Sequence, residues 1–132
     1  MHQAYDLLLD AWGLSRRAER VLREPRAALV LLDAIRVAIG MERLPGMEPR
    51  AAYVGGGDKA WGSGVTGAVY LLDSSITLHT LTEGRWLHLD VFSCAPFDGG
   101  DVVALVRRSC GGHGRVMMVN RCAGVVVWRN EW

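Results

Sequence analysis

The sequence predicts an α+β fold: a two-layer sandwich whose mostly antiparallel sheet carries its helices on one face. Three observations predict it. Strand-like runs at Val65–Leu72, Ser75–Leu81 and Trp86–Phe92 follow one another through short turns. Two apolar helical segments, Pro25 to about Gly40 and Asp98 to about Ser109, flank that block. The 132 residues suffice for one core and are too few for two, so residues 1–132 form a single domain. Adjacent strands with tight turns pair antiparallel, and the helices then cover one side. No internal repeat competes with this reading.

Each element has a local reason. Tyr5 to Trp12 is short and apolar and ends at Gly13, which fits a first strand or a helical turn. Ser15 can cap a short charged helix through Leu22. Pro25 suits the first turn of the next helix, and Gly40 can end it. Its few polar residues, Arg26, Asp33 and Arg36, predict burial of most of its circumference. Pro45-Gly46 marks a turn, and Pro49 to Val54 reads as a strand. A glycine-rich loop runs from Gly55 to Gly64. Glu83-Gly84 turns the hairpin between the second and third runs. Asp98 or Asp101 caps the late helix, and Cys110-Gly111-Gly112 stops it. Arg115–Val119 and Ala123–Trp128 close the sheet.

Composition excludes several classes. Half of the chain is hydrophobic, so disorder is excluded. Fifteen basic residues meet fourteen acidic ones, and no basic field invites nucleic acid. Lys59 is the only lysine, so only one residue is available for lysine Schiff-base chemistry. The apolar stretch from Ala27 to Met41 contains Asp33 and Arg36 and is too short to cross a bilayer. Cys94, Cys110 and Cys122 have no metal-like spacing, and His88 and His113 have no ligand-spaced partners. With no charged leader at the start, a cytoplasmic location without membrane, metal or nucleic-acid partners is expected.

The chemistry concentrates around Ser74. An acid-serine junction, Asp73-Ser74, stands five residues before His79 in an apolar strand-like run. A serine hydroxyl can attack the preceding carbonyl and turn the peptide bond into an ester. Removal of the serine α-proton then eliminates the ester and cuts the chain. The resulting dehydroalanine loses ammonia and becomes a pyruvoyl group. His79 is the candidate base, since an unperturbed imidazole titrates near neutrality. Thr66, on the preceding strand, is the candidate helper hydroxyl. A pyruvoyl group makes a decarboxylase whose carbanion needs a proton, and Cys94 is the candidate donor. Taken singly, Ser74 also fits a plain turn, His79 a hydrogen-bonded strand residue and Cys94 a small core hydrophobe. The joint spacing carries the signal.

These residues resemble the S-adenosylmethionine decarboxylases, specifically the short prokaryotic proenzymes of polyamine synthesis. The family's Glu-Ser-His-Ile-Ser-Ile-His-Thr is similar to Asp73-Ser74-Ser75-Ile76-Thr77-Leu78-His79-Thr80, and its Gly-Val-Ser-Gly to Gly64-Val65-Thr66-Gly67. Asp-Val-Phe-Ser-Cys is intact at Asp90 to Cys94 and continues as Pro96-Phe97-Asp98. Leu7 to Gly13 and Ile39-Gly40-Met41 match as well, so the likeness spans about residues 5 to 121. The resemblance implies cleavage between Asp73 and Ser74, with Ser74 as pyruvoyl precursor. It implies His79 as the processing base, Thr66 as its helper and Cys94 as the proton donor. Glu83 would bind the substrate ribose, and Trp61 lies near the adenine-stacking position. The implied cofactor is the self-derived pyruvoyl group. The implied partners are S-adenosylmethionine, for spermidine synthesis, and a second copy in a homodimer whose sites draw on both protomers.

Three positions depart from the pattern. Asp73 stands for Glu, Ser75 for His, and the Gly55–Gly64 loop lacks His-x-Phe-x-Pro. The first two motivate an alternative, an unprocessed relative that binds a ligand or regulates an active partner. The loop motivates another, a pyruvoyl enzyme acting on ornithine or arginine.

Overall fold

The computed structural model describes residues 3–55 and 62–132. Seven strands form one antiparallel sheet: β1 (Tyr5–Trp12), β2 (Arg50–Val54), β3 (Gly64–Leu71), β4 (Ser74–Leu81), β5 (Trp86–Ser93), β6 (His113–Asn120) and β7 (Val125–Glu131). Their order across the sheet is β2-β3-β4-β5-β1-β6-β7. The helices are α1 (Glu19–Arg23), α2 (Pro25–Ala38) and α3 (Gly99–Cys110). This is the predicted α+β fold.

Strand alternation sorts the side chains. Leu7, Leu9, Val69, Ile76, Leu78, Leu87, Leu89 and Val91 are fully buried and face the helices. The helices answer with Leu22, Leu32, Ile35, Val102 and Val106. Fully burying each such side chain stabilises the fold by about 1.5–3 kcal/mol. Gly67 lets α2 approach, because a Cβ there would meet Leu32 at 3.3 Å and Ala51 at 3.2 Å. The other sheet face carries Thr66, His79, His88, Asp90, Asp10, Trp12 and Arg115. Among the described residues no helix covers it.

The ends of the elements follow their capping residues. Pro25 opens α2, and Asp98 accepts from Gly100 N–H at 2.8 Å to open α3. Ser15 caps a 3-10 turn at Arg16–Ala18 that leads into short α1, so the single helix expected there is split. The β4–β5 turn places Arg85, not Gly84, at positive φ (52°). Arg85 is held there by Leu14 O at 2.6 Å, Ser15 O at 2.7 Å and Glu19 at 2.9 Å. Gly84 is required for another reason: a Cβ would lie 2.6 Å from the Trp86 ring.

Several boundaries shift by one to three residues from the sequence expectation, and two of the shifts have a clear local cause. Strand β4 begins at Ser74, one residue early, because the β3–β4 loop is only Leu72-Asp73. The last strand starts at Val125 and runs on to Glu131. Asn120 Oδ1 accepts from Cys122 and Ala123 N–H and holds those residues in a turn.

Candidate active site

The two-residue turn between β3 and β4 positions the candidate scissile bond. Leu71 pairs with Ser74, so Leu72 and Asp73 alone make the reversal. Asp73 has φ 56°, the left-handed region that aspartate tolerates better than most side chains. Such a residue stores roughly 1 kcal/mol of backbone strain. Ser74 is half-buried behind it.

Cys94 lies beside this turn. The β4–β5 register pairs Ser75 with Phe92, which carries the end of β5 to the start of β4. Cys94 N–H donates to Ser74 Oγ at 3.3 Å. Buried Ser93 fixes the bend, donating to Ala95 O at 2.6 Å and accepting from Ala95 N–H at 3.0 Å. A cleft of about 310 Å³ opens here, lined by Met41, Glu42, Leu72, Asp73, Ser74, Cys94 and Ala95. The thiol of Cys110 is a different case. Burial pushes it up to about 11, and Cys110 fills core space instead.

Thr66 and His79 form a second pair. They are directly opposed on β3 and β4, with Thr66 Oγ1 3.1 Å from His79 Nδ1. This pair lies on the open face. His79 follows Ser74 by five residues on one strand, a separation of about 17 Å. That is far beyond hydrogen-bond reach. The chain therefore brings Ser74 to Cys94 and Thr66 to His79 but leaves the two pairs apart.

Glu83 lies past the His79 end of β4. Its carboxylate accepts from Ser63 N–H at 2.9 Å, Thr82 Oγ1 at 2.9 Å and Ser63 Oγ. The Ser63 hydroxyl foremost, with backbone N–H donors and Thr82, holds Glu83 down at about 2. Trp61 lies outside the described residues. Asp90, at the surface of the open face, is desolvated by its neighbours and pushed up.

Sequence reasoning passed over one pair on this face. His88 Nδ1 lies 2.7 Å from Asp10 Oδ1. The polar alternation Trp86-Leu87-His88-Leu89-Asp90 marks His88 as an outward residue, but nothing local connects it to Asp10. Among the described residues no three His, Cys, Asp or Glu side chains converge as a metal site. No helix there is long and apolar enough to cross a membrane.

A compact antiparallel sandwich with a serine–cysteine cleft and a separate threonine–histidine pair defines the class. The family model for S-adenosylmethionine decarboxylase matches residues 6–121, and the chain belongs to that family, one of decarboxylases. The crystal structure of an adenosylmethionine decarboxylase from Aquifex aeolicus shares the fold with a TM-score of 0.65. That match has 18% identity and covers 89% of this chain and 88% of that one. No curated protein matches the sequence significantly.

Proposed function

We propose that this chain is a pyruvoyl-dependent S-adenosylmethionine decarboxylase that cuts itself between Asp73 and Ser74. The observation that carries the reading is the contact of Ser74 Oγ with Cys94 N–H at the strained Asp73 turn. Processing begins when Ser74 Oγ attacks the Asp73 carbonyl carbon and the amide becomes an ester. Relief of the left-handed conformation at Asp73 favours this step. A base removes the Ser74 α-proton, the Cβ–Oγ bond breaks, and residues 1–73 leave as a carboxylate. Water replaces ammonia at residue 74. The residues present fit the group this creates: a half-buried serine, a cleft before it and a thiol beside it.

His79 is the base and Thr66 orients it through Nδ1. Because His79 lies about 17 Å along the strand from Ser74, both act on the Ser74 of a second copy. A two-fold pairing of protomers brings the Ser74–Cys94 end of one to the Thr66–His79 region of the other, twice. The cleft of one protomer, about 310 Å³, is at the lower limit for small-molecule sites, and the second copy completes its walls.

A pyruvoyl group supplies an electron sink for loss of carbon dioxide from an amine it has captured. Cys94 then delivers a proton to the carbon that lost the carboxylate. The product donates aminopropyl groups for spermidine. The test is carbon dioxide release from carboxyl-labelled S-adenosylmethionine by purified protein. Ser74→Ala must abolish both release and chain cleavage; release that survives it contradicts the reading.

One observation favours a second substrate. Glu83 is engaged by Ser63 and Thr82 of its own chain, so a ribose must compete for it. Labelled ornithine and arginine belong in the same assay, and turnover of S-adenosylmethionine alone dismisses them.

A further inference from the structure

The cleft beside Ser74 carries negative charge with no cation to match it. Its ionisable side chains are the carboxylates of Glu42 and Asp73 and the thiol of Cys94. Among the described residues no lysine, arginine or histidine lines it. Asp73 belongs to the candidate cleavage turn. Glu42 stands off that turn, exposed, on the segment that follows α2.

That segment is pinned on both sides of Glu42. Met41 N–H donates to Arg36 O at 3.1 Å, and Met41 O accepts from Arg36 Nη1 at 2.9 Å. Glu42 O accepts from Leu72 N–H at 3.2 Å, and Leu44 N–H donates to Tyr70 O at 3.0 Å. Arg43 bridges to Leu71 in antiparallel fashion. The main chain of Glu42 is thus tied to the residue before Asp73. The neighbouring arginines are engaged elsewhere. Arg36 Nε meets Asp33 Oδ1 at 2.8 Å, Arg43 Nη2 meets the same oxygen at 3.1 Å, and Arg43 Nη1 lies 4.0 Å from Glu48. These two arginines face two acids and balance them. Among the described residues no ion pair compensates Glu42.

We propose that Glu42 is a specificity-determining residue that holds a positive charge of the substrate beside the reactive group at residue 74. The inference rests on this cleft being the decarboxylation site, as proposed above, but not on which substrate enters it. S-adenosylmethionine carries a sulfonium, ornithine an ammonium and arginine a guanidinium, each a few bonds from the amine to be captured. A carboxylate held at the rim attracts any of these cations and gives a neutral side chain nothing to pair with.

The experiment is titration calorimetry on the full-length Ser74→Ala chain, whose cleft is present without cleavage. The ligands form two pairs that differ by one positive charge: S-adenosylmethionine against S-adenosylhomocysteine, and ornithine against norvaline. The charged member of at least one pair binds about five- to tenfold tighter than its neutral counterpart, as one partly screened charge pair provides. Glu42→Gln removes that preference and leaves the affinity of the neutral member unchanged. Glu42→Asp, which keeps the charge, keeps most of the preference. Equal binding within both pairs, a preference that survives Glu42→Gln, or a loss shared equally by both members overturns the inference. Failure of the proposed function is read separately, in a wild-type chain that stays uncut or releases no carbon dioxide.

Discussion

Thr66 Oγ1 and His79 Nδ1 lie 3.1 Å apart across β3 and β4, while Ser74 opens the same β4 strand five residues earlier. The strand that carries the candidate nucleophile therefore also carries the candidate base, out of reach of it. A rigid strand cannot fold back to join them. In the proposed pairing a second copy supplies the base without deforming either strand.

This arrangement predicts complementation between defective chains. His79→Ala keeps Ser74 but lacks the base, and Ser74→Ala keeps the base but cannot be cut. Each alone stays intact. Unfolded together and refolded as a mixture, they yield cut His79→Ala chain, visible as two new fragments by electrophoresis. A mixture that stays as intact as its components refutes action between copies.

Cys94 and Cys110 separate by environment. Cys94 borders the cleft, whereas burial holds Cys110 at about 11. Cys94→Ala leaves cleavage intact and lowers decarboxylation by about 10²–10⁴-fold, the usual range for a lost proton donor. Cys122→Ser, at an exposed turn, leaves the rate unchanged. Single-turnover carbon dioxide release measures both.

The proposed cleavage draws on strain at the Asp73 turn. Asp73→Gly removes the Cβ that disfavours φ 56°. The uncut Ser74→Ala chain gains up to about 1 kcal/mol in denaturant unfolding when Asp73→Gly is added. In the chain that keeps Ser74, Asp73→Gly slows cleavage. Faster cleavage would show that strain at this residue does not assist the reaction.

Glu83 sets an acid limb of stability. Its folded carboxyl sits at about 2 against an ordinary 4.5. A depressed carboxyl stabilises the fold fully above its unfolded value and loses that contribution as pH falls through the folded one. Thermal melts should drop between about pH 4.5 and about pH 2. Glu83→Gln should melt lower than wild type at neutral pH and lose less across that window.

The core makes a simpler prediction. Leu78 is fully buried between Gly67 and Leu89 in the register. Leu78→Ala should cost about 2–5 kcal/mol in denaturant unfolding.

Much of this was legible in the sequence, for local reasons. Alternation such as Trp86-Leu87-His88-Leu89 gives a strand and tells its two faces apart. Pro25 and Asp98 mark helix starts through capping alone. Ser74, His79 and Cys94 stand out by spacing. The link between Thr66 and His79 follows once the Leu72-Asp73 turn is known, because a two-residue loop fixes the register. The insertion of β1 between β5 and β6 is a long-range packing outcome that no local pattern encodes. The His88–Asp10 pair depends on it, joining residues 78 positions apart. The separation of Ser74 from His79 was hidden for the opposite reason. Closeness in sequence suggests closeness in space, and an extended strand denies it.

The most direct measurement is the intact mass of the purified wild-type protein. The account predicts two chains, residues 1–73 and 74–132, the second lighter by one ammonia than a chain beginning with serine and closed to N-terminal sequencing. A single uncut chain after prolonged incubation, or a 74–132 fragment with a free serine amine, would contradict it.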